Sequence, residues 1–235
     1  MACLRSSAIG LQKEMLCFSG VSLLSPRERT CRMNTLIKTI EVIGIIAFAL
    51  TGIYEARKKG MDIIGVYAVA MITAFGGGSL RDFILNRHPL FWVEHYNYAL
   101  LVLGLSIGSV LVIRNFFAVN RIVKSVLVLD ALGLGLFSAS GASVANQAGE
   151  HWYISALLGV TTGVFGGVLR DIICNEIPHV FTRTELYATC AFAGACSYLV
   201  IYSTTSNEVV AVITCIAVTF VLRMLAIRYK IRLPL

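Results

Sequence analysis

The sequence predicts an all-α integral membrane protein with seven transmembrane helices, arranged as two inverted three-helix repeats plus a seventh helix. Apolar residues make up 57% of the chain and charged residues 14%, which is too few charges to cover a soluble domain. The apolar stretches suit helices of about 20 residues, the length that crosses roughly 30 Å of hydrocarbon. They are continuous and lack the alternation of a membrane β-barrel. A motif rich in glycine and charge also occurs twice.

The apolar segments define the predicted domains. The first repeat covers residues 33–120, the second covers 121–206, and residues 207–235 hold the seventh helix and a basic C-terminal tail. We expect residues 1–32 to be disordered or a mis-called extension, because Met33 directly precedes the first span; the alternative is a real tail that biases topology. The predicted spans cover residues 36–56, 62–86, 96–116, 124–146, 152–175, 185–203 and 208–228.

The duplication is seen in one motif and in many single positions. Residues 76–82 read Gly-Gly-Gly-Ser-Leu-Arg-Asp, and 89 positions later residues 165–171 read Phe-Gly-Gly-Val-Leu-Arg-Asp. Each repeat holds three spans, an odd number, so the second copy must enter the membrane from the opposite side, as in many transporters. The same shift relates Glu41 to Asp130, Gly44 to Gly133, Phe48 to Phe137, Gly60 to Gly149, Thr73 to Thr162, Asn86 to Asn175 and Pro89 to Pro178.

The repeated glycines are the first candidate site. Glycine weakens a helix interior by up to about 1 kcal/mol relative to alanine, so we expect spans 2 and 5 to kink or unwind there. Freed carbonyls would have to face protein or a water-filled path, where they can replace part of a cation's hydration shell. The alternative is close packing of two helices. These pore or kink residues are Gly76, Gly77, Gly78, Gly166 and Gly167.

Charged residues inside the spans are the second candidate site. An Arg-Asp pair follows the glycines in each repeat: Arg81 with Asp82, and Arg170 with Asp171. Charged side chains at membrane depth usually face a bundle interior or an aqueous path. We interpret them as pore or gate charges; the alternative is that they only tie the fold together.

Two further carboxylates stand at equivalent points of the repeats. Glu41 and Asp130 begin spans 1 and 4, where they would either stabilise helix N-termini or attract cations at the pore mouths. Asn86 with Pro89, and Asn175 with Pro178, predict the ends of spans 2 and 5.

Other features predict packing and exclude chemistry. Small residues in spans 3 and 6, including Gly104, Gly108 and Gly194, suit close helix contacts. The chain has no nucleophile elbow, phosphate loop or H-E-x-x-H helix, so we expect no enzyme. It has no C-x-x-C pair and no zinc-like spacing, so we expect neither metal nor cofactor.

The net charge of +7 concerns topology rather than nucleic acid, because membrane proteins collect Lys and Arg on their cytoplasmic side. Basic residues at 57–59 follow span 1, and Arg228, Lys230 and Arg232 follow span 7. We therefore expect the N-terminus outside and the C-terminus in the cytoplasm. Arg27, Arg29 and Arg32 in the tail oppose this.

The doubled Gly-Gly-x-x-Arg-Asp motif, with Glu41, Gly44 and Phe48 upstream, resembles bacterial members of the trimeric intracellular cation channel superfamily, whose sequences are also catalogued as carrying two glycine-transporter domains. The resemblance covers about residues 36–229 and implies a homotrimer in the bacterial inner membrane with an hourglass pore in each subunit. Phe165 departs from the pattern, since it stands where the first repeat has Gly76, and so does Glu41, where Asp is more usual.

Two functions follow from this resemblance. One is a channel for monovalent cations, chiefly potassium. The other is a carrier for glycine or another small zwitterion, whose carboxylate and ammonium the Arg–Asp pairs would hold.

Overall fold

The computed structural model describes residues 26–112, 120–181 and 186–231. The chain forms two units, residues 1–35 and 36–235; of the first, only a helical stretch beginning at Pro26 is described. The described residues contain a 3-10 helix, His179–Phe181, and eight α-helices. These are α1 Pro26–Lys58, α2 Ile63–Ile84, α3 Phe91–Glu94, α4 Asn97–Val112, α5 Asn120–Gln147, α6 Trp152–Ile173, α7 Ala188–Thr205 and α8 Glu208–Tyr229.

The all-α membrane class is confirmed. Five helices are long and apolar enough to cross a bilayer, and they match predicted spans 1, 2, 4, 5 and 7. The other two predicted spans do not meet the length and hydropathy of a membrane-spanning helix. At predicted span 3, the described part of α4 is too short. At predicted span 6, the polar last turn of α7 lowers the mean hydropathy of the helix. The short α3 was not predicted. Helix α1 already includes residues 26–32 of the predicted tail, and residues 1–25 lie outside the described residues.

The duplication extends to the ends of the helices. Gly60 and Gly149 end α1 and α5 with φ of 73° and 83°, a conformation that favours glycine. Asn86 and Asn175, with φ of 51° and 55°, end α2 and α6, as the sequence predicts.

An ion pair joins two of these ends. Lys59, just after α1, pairs with Glu176, just after α6. The hydrogen bond from Lys59 lowers the pKa of Glu176, and the same bond raises the pKa of Lys59. The C-terminal ends of α1 and α6 therefore lie on one side of the molecule.

The centre of the duplicated unit is a pair of phenylalanines. The rings of Phe48 and Phe137 stack with centroids 5.2 Å apart, and each residue is 1% exposed. Gly44 borders the ring of Phe137, and its repeat equivalent Gly133 borders the ring of Phe48. A side-chain carbon added at Gly133 would lie 2.4 Å from that ring, so these glycines make room for the aromatic pair.

The repeated glycines pack two helices together and do not break them. Helices α2 and α6 continue through residues 76–78 and 166–167, so the predicted unwound turn is not seen. A carbon added at Gly77 would lie 2.0 Å from the carbonyl oxygen of Thr162, and one at Gly166 would lie 2.3 Å from that of Thr73. Each glycine thus lets its helix approach the backbone of the other repeat, which is the packing alternative.

The small residues of the third and sixth helices of the duplicated unit behave differently. In α7, Gly194 packs against Thr219 of α8, with only 1.9 Å between the position of an added carbon and the hydroxyl oxygen. In α4, Gly104 and Gly108 have open space where a side chain would extend. The predicted close contact holds within the subunit for Gly194 but not for the α4 glycines.

Candidate functional site: two buried charge clusters

The first charge cluster consists of Glu41, Arg81, Asp82 and Ser140. Arg81 donates from Nη1 to Glu41 Oε1 at 2.8 Å and to Ser140 Oγ at 2.8 Å, and from Nε to Asp82 Oδ1 at 2.9 Å. Ser140 in turn donates to Glu41 Oε1 at 2.9 Å. Arg81 is 1% exposed, so its charge depends on these partners rather than on water.

The second charge cluster consists of Thr51, Asp130, Arg170 and Asp171. Arg170 donates from Nη1 to Asp130 Oδ1 at 3.0 Å and to Thr51 Oγ1 at 3.2 Å, and from Nε to Asp171 Oδ1 at 2.9 Å. Arg170 is 5% exposed. Asp130, Arg170 and Asp171 lie 89 positions after Glu41, Arg81 and Asp82, whereas Thr51 lies 89 positions before Ser140.

In each cluster, the hydroxyl group comes from the repeat that does not supply the arginine. Each arginine pairs with the carboxylate 40 residues before it in its own repeat, but its hydroxyl partner comes from the other repeat. Helix α1 carries Glu41 and then Thr51, whereas α5 carries Asp130 and then Ser140. The two helices therefore run in opposite directions between the clusters, which the helical rise places about 15 Å apart.

The paired aspartates also hold the chain that follows each helix. Asp82 Oδ2 accepts the backbone N–H of Phe91 at 3.0 Å, and Asp171 Oδ2 accepts that of His179 at 3.2 Å. Each aspartate thus joins its arginine to the short helix after the turn. The Arg–Asp pair is a structural link in both repeats, whatever else it does.

Glu41 and Asp130 do not occupy helix N-termini. Helix α1 begins at Pro26 and α5 at Asn120, so both carboxylates lie inside helices and the predicted capping role is wrong. Glu41 is 6% exposed and Asp130 is 7% exposed. Their carboxylates form ion pairs with Arg81 and Arg170, respectively. Each cluster contains two carboxylates and one guanidinium. With all three groups ionised, its net charge is therefore one negative charge.

The surroundings of the two clusters have diverged. The ring of Phe91 fills the space beside Gly78 and lies over Arg81, 5.4 Å from its guanidinium carbon. The equivalent glycine, Gly167, faces the hydroxyl of Tyr187 instead. Tyr187, Arg170 and Asp171 are among the residues lining a cavity of about 10 Å³ there, close to the volume that one water needs.

Sequence reasoning identified six of the eight cluster residues and missed both hydroxyl groups. Thr51 and Ser140 are equivalent under the 89-residue shift, but they are different residue types and therefore did not stand out as a match. Within the described residues, no group of three His, Cys, Asp or Glu side chains is placed to hold a metal ion.

These features define a duplicated, polytopic α-helical membrane protein. Comparison with known families gives a match to the family described as "Glycine transporter" at residues 38–114 and again at 127–203, one match per repeat. The chain belongs to this family.

Related sequences are described as membrane proteins. The chain is 35% identical over 201 residues to the UPF0126 inner membrane protein YadS of Escherichia coli K12, covering 85% of this chain and 95% of the relative. It is 32% identical to a UPF0126 membrane protein of Vibrio cholerae, covering 86% of this chain and 83% of that one.

Similar solved structures are described as cation channels. One TRIC cation channel is 37% identical, with 84% of this chain and 96% of that chain covered and a TM-score of 0.76. A trimeric intracellular cation channel orthologue from Rhodobacter sphaeroides is 32% identical, with 84% and 100% covered and a TM-score of 0.78. A channel from C. elegans, at 10% identity and a TM-score of 0.58, shares the fold.

Proposed function

We propose that this protein is a channel for monovalent cations, chiefly potassium, that assembles as a homotrimer with a path through each subunit. The observation that carries the proposal is the similarity, over 84% of the chain and at 37% and 32% identity, to structures described as TRIC cation channels. The protein has a transport role and no catalytic one.

The charge clusters supply the selectivity for cations. Each has two carboxylates to one guanidinium, so each end of the path carries a negative charge that attracts cations and repels anions. Glu41, Asp82, Asp130 and Asp171 supply the carboxylates, with Arg81 and Arg170 holding them in place.

We infer that the path would be closed between the clusters. The stacked rings of Phe48 and Phe137 lie at the centre, and Gly77 and Gly166 bring α2 and α6 together beside them. We assign the gate to this layer: conduction requires the two rings to separate or α2 and α6 to move apart. Gly76, Gly78 and Gly167 flank the same crossing and set how closely other side chains approach it.

A glycine carrier is the competing function, and the family description is its support. A zwitterion would need one free cation and one free anion. Arg81 and Asp82 bind each other and are 1% and 2% exposed, and Arg170 and Asp171 are likewise paired. Neither pair presents both groups to a substrate without first breaking its own contacts.

The membrane arrangement follows from the repeats and the charges. Antiparallel α1 and α5 fit an inverted-topology repeat. The basic residues at 57–59 and at 228 and 230 would then lie in the cytoplasm, with the first charge cluster nearer the outside and the second nearer the cytoplasm.

Reconstitution tests the function directly. Purified protein in liposomes should release potassium down its gradient and should take up no radiolabelled glycine beyond protein-free vesicles. Glycine uptake without potassium flux would establish the carrier instead, and the absence of both would refute both functions.

A separate variant tests the assignment of the gate. Phe48→Ala should raise potassium flux per folded trimer, because it removes one of the two rings that close the path. Phe75→Ala is the matched control, since that ring is also buried but pairs with the rings of Phe91 and Trp92 instead of taking part in the Phe48–Phe137 stack. Equal flux per folded trimer for Phe48→Ala, Phe75→Ala and the wild-type protein would remove the aromatic pair from the gate.

A further inference from the structure

The cavity of about 10 Å³ beside the second charge cluster has polar groups in its wall. Its lining residues include Arg170, Asp171 and Tyr187, and its volume is close to what one water molecule needs. An apolar cavity of this size would stay dry, whereas a water with about two to four polar partners becomes part of the structure. What the cavity holds therefore depends on the capacity of these groups to bind.

The hydroxyl of Tyr187 is the group that needs a partner. Tyr187 is 7% exposed, and its hydroxyl oxygen is buried without a hydrogen bond to any described residue. Asp130 and Arg170 are near enough to interact with the side chain electrostatically. Neither of them reaches the hydroxyl with the length and angle of a hydrogen bond. Because an unpaired buried hydroxyl is costly, a bridging water at this point would stabilise the fold.

Both charged groups in the wall can bind a water in addition to their present partners. Arg170 Nη2 lies 2.9 Å from Asp171 Oδ1, and this nitrogen carries a second N–H group. Asp171 Oδ2 accepts the backbone N–H of His179 at 3.2 Å, and a carboxylate oxygen has a second lone pair. A water in the cavity can therefore accept from Tyr187 or Arg170 and donate to Asp171.

The equivalent space at the first charge cluster is filled by a side chain. The shift of 89 positions relates Gly167 to Gly78, and it relates Val180, which also lines the cavity, to Phe91. The Phe91 ring lies over Arg81, and one of its carbons is 2.3 Å from the position of a side-chain carbon added at Gly78. The first cluster thus has an aromatic ring where the second has a cavity.

The exposure of the charged residues differs in the same sense. Arg81 and Asp82 are 1% and 2% exposed, whereas Arg170 and Asp171 are 5% and 6% exposed. We propose that the cavity is a site for one bound water, which hydrates the second cluster in the closed channel, and that the Phe91 ring keeps the first cluster dry. The water site stands without the channel function. Its place on the path, where a cation from the second end first meets the closed channel, rests on that function.

A crystal structure at a resolution that shows waters tests the site. Crystals grown in potassium chloride should contain one water within hydrogen-bonding distance of Tyr187 Oη and none between Phe91 and Arg81. Crystals grown in rubidium chloride distinguish a water from an alkali cation, because rubidium scatters anomalously and water does not. The proposal is overturned by a site without density, by an anomalous peak in it, or by an equivalent water at Arg81.

The hydroxyl can be removed without removing the ring. Tyr187→Phe should lose the water and lower the thermal midpoint in detergent by about 2–4 °C, because one bridged hydrogen bond is lost. Tyr98→Phe is the matched control: Tyr98 is the equivalent tyrosine of the first repeat, is only half-buried, and should keep the midpoint of the wild-type protein. A Tyr187→Phe midpoint that is unchanged or higher means that the hydroxyl had no partner to lose, and it overturns the water site.

A third variant tests the place of the site on the path. Gly167→Ala puts a carbon 3.2 Å from the Tyr187 hydroxyl, about where a hydrogen-bonded water would lie, so it should displace the water. Single-channel current in planar bilayers should then fall about twofold or more. Gly104→Ala, with open space around it, is the control and should conduct as the wild-type protein does. Normal current through Gly167→Ala channels that have lost the water removes the site from the path. A wild-type protein that conducts no cation refutes the proposed function instead, and the crystal structure still decides the water site.

Discussion

A buried guanidinium is tolerable only when its N–H groups find partners, because removing one partner leaves a charge or donor unsatisfied. Arg81 and Arg170 meet this condition with two carboxylates and one hydroxyl each. The hydroxyl is the smallest of the three partners and the only one that comes from the other repeat. Within each cluster, it is therefore the contact that ties the two halves together.

Loss of one hydroxyl should measurably weaken the fold. Thr51→Val keeps the shape of the side chain but removes the acceptor for Arg170, and we expect it to lower the free energy of unfolding by about 1–3 kcal/mol. Thr51→Ser keeps the hydroxyl and is the control. Reversible unfolding in mixed detergent micelles, followed by circular dichroism, measures both. If Thr51→Ser is destabilised as much as Thr51→Val, lost packing rather than the lost hydrogen bond is responsible.

The same test applies to the other repeat. Ser140→Ala should destabilise by a similar amount, and Ser140→Thr, which installs the residue of the first repeat, should retain most of the stability. A neutral Ser140→Ala would show that Glu41 and Asp82 alone satisfy Arg81.

The cluster carboxylates and arginines could be predicted from the sequence, but their pairing could not. Charges inside apolar segments stand out in any composition profile, and the repeat shows that they come in sets. Which carboxylate meets Arg81 depends on how α1 and α2 pack across a separation of 40 residues, and no local pattern carries that information. The hydroxyl partners are even harder to predict from the sequence, because Ser and Thr are ordinary residues in membrane helices.

At the level of the helices, the glycines permit two opposite structures. A glycine run lowers the cost of unwinding, and it equally lowers the cost of bringing two backbones together. The choice depends on what faces the run, and here it is the carbonyl of Thr162 or Thr73 in the other repeat. The sequence contains both contact partners at equivalent positions, but only packing brings them together.

Even the smallest side chain at this crossing should force α2 and α6 apart. Gly77→Ala places a carbon 2.0 Å from a backbone oxygen that has no flexible end to move, so we expect a loss of about 1–3 kcal/mol in unfolding free energy. Gly104→Ala, on α4 with open space around it, is the matched control. It should leave subunit unfolding unchanged or stabilise it by up to about 1 kcal/mol. Unfolding of the dissociated subunit in detergent measures the difference, and a harmless Gly77→Ala would contradict the close crossing.

For the whole molecule, the depth of the charges matters. The two clusters are separated by about 15 Å along α1 and α5, which is half of a hydrocarbon core of about 30 Å. If the Phe48–Phe137 pair marks the midplane, each arginine lies about 7–8 Å from it, still within the hydrocarbon region. Such charges must face the protein interior or an aqueous path.

The predicted membrane topology can be tested at the ends of the helices. A cysteine at Lys58, at the C-terminal end of α1, should be shielded from a membrane-impermeant thiol reagent in intact cells, and one at Glu150 should react. Both positions are solvent-accessible or loop positions in the subunit, so shielding reports the membrane rather than burial. Labelling at position 58 with protection at 150 would reverse the topology without changing the fold.

The stoichiometry is a separate property of the whole molecule. We expect a mass of three subunits in native nanodiscs, in keeping with the similar structures described as trimeric channels. A monomeric or dimeric mass would contradict the trimer. It would leave the charge clusters intact, because every cluster contact described above lies within one subunit.

The exchanged hydroxyls also say something about how such a protein can arise. Arg81 binds Ser140, and Arg170 binds Thr51, so each half supplies only two of the three partners of its own arginine. Contacts that swap under a single shift are the contacts that two identical copies would make in an isologous pair. An ancestral three-helix protein inserted in both orientations would have met itself in the bilayer with these same interactions. Fusion of two such genes then locks one copy facing each way, and each half is afterwards free to acquire its own neighbour, as Phe91 and Tyr187 have done.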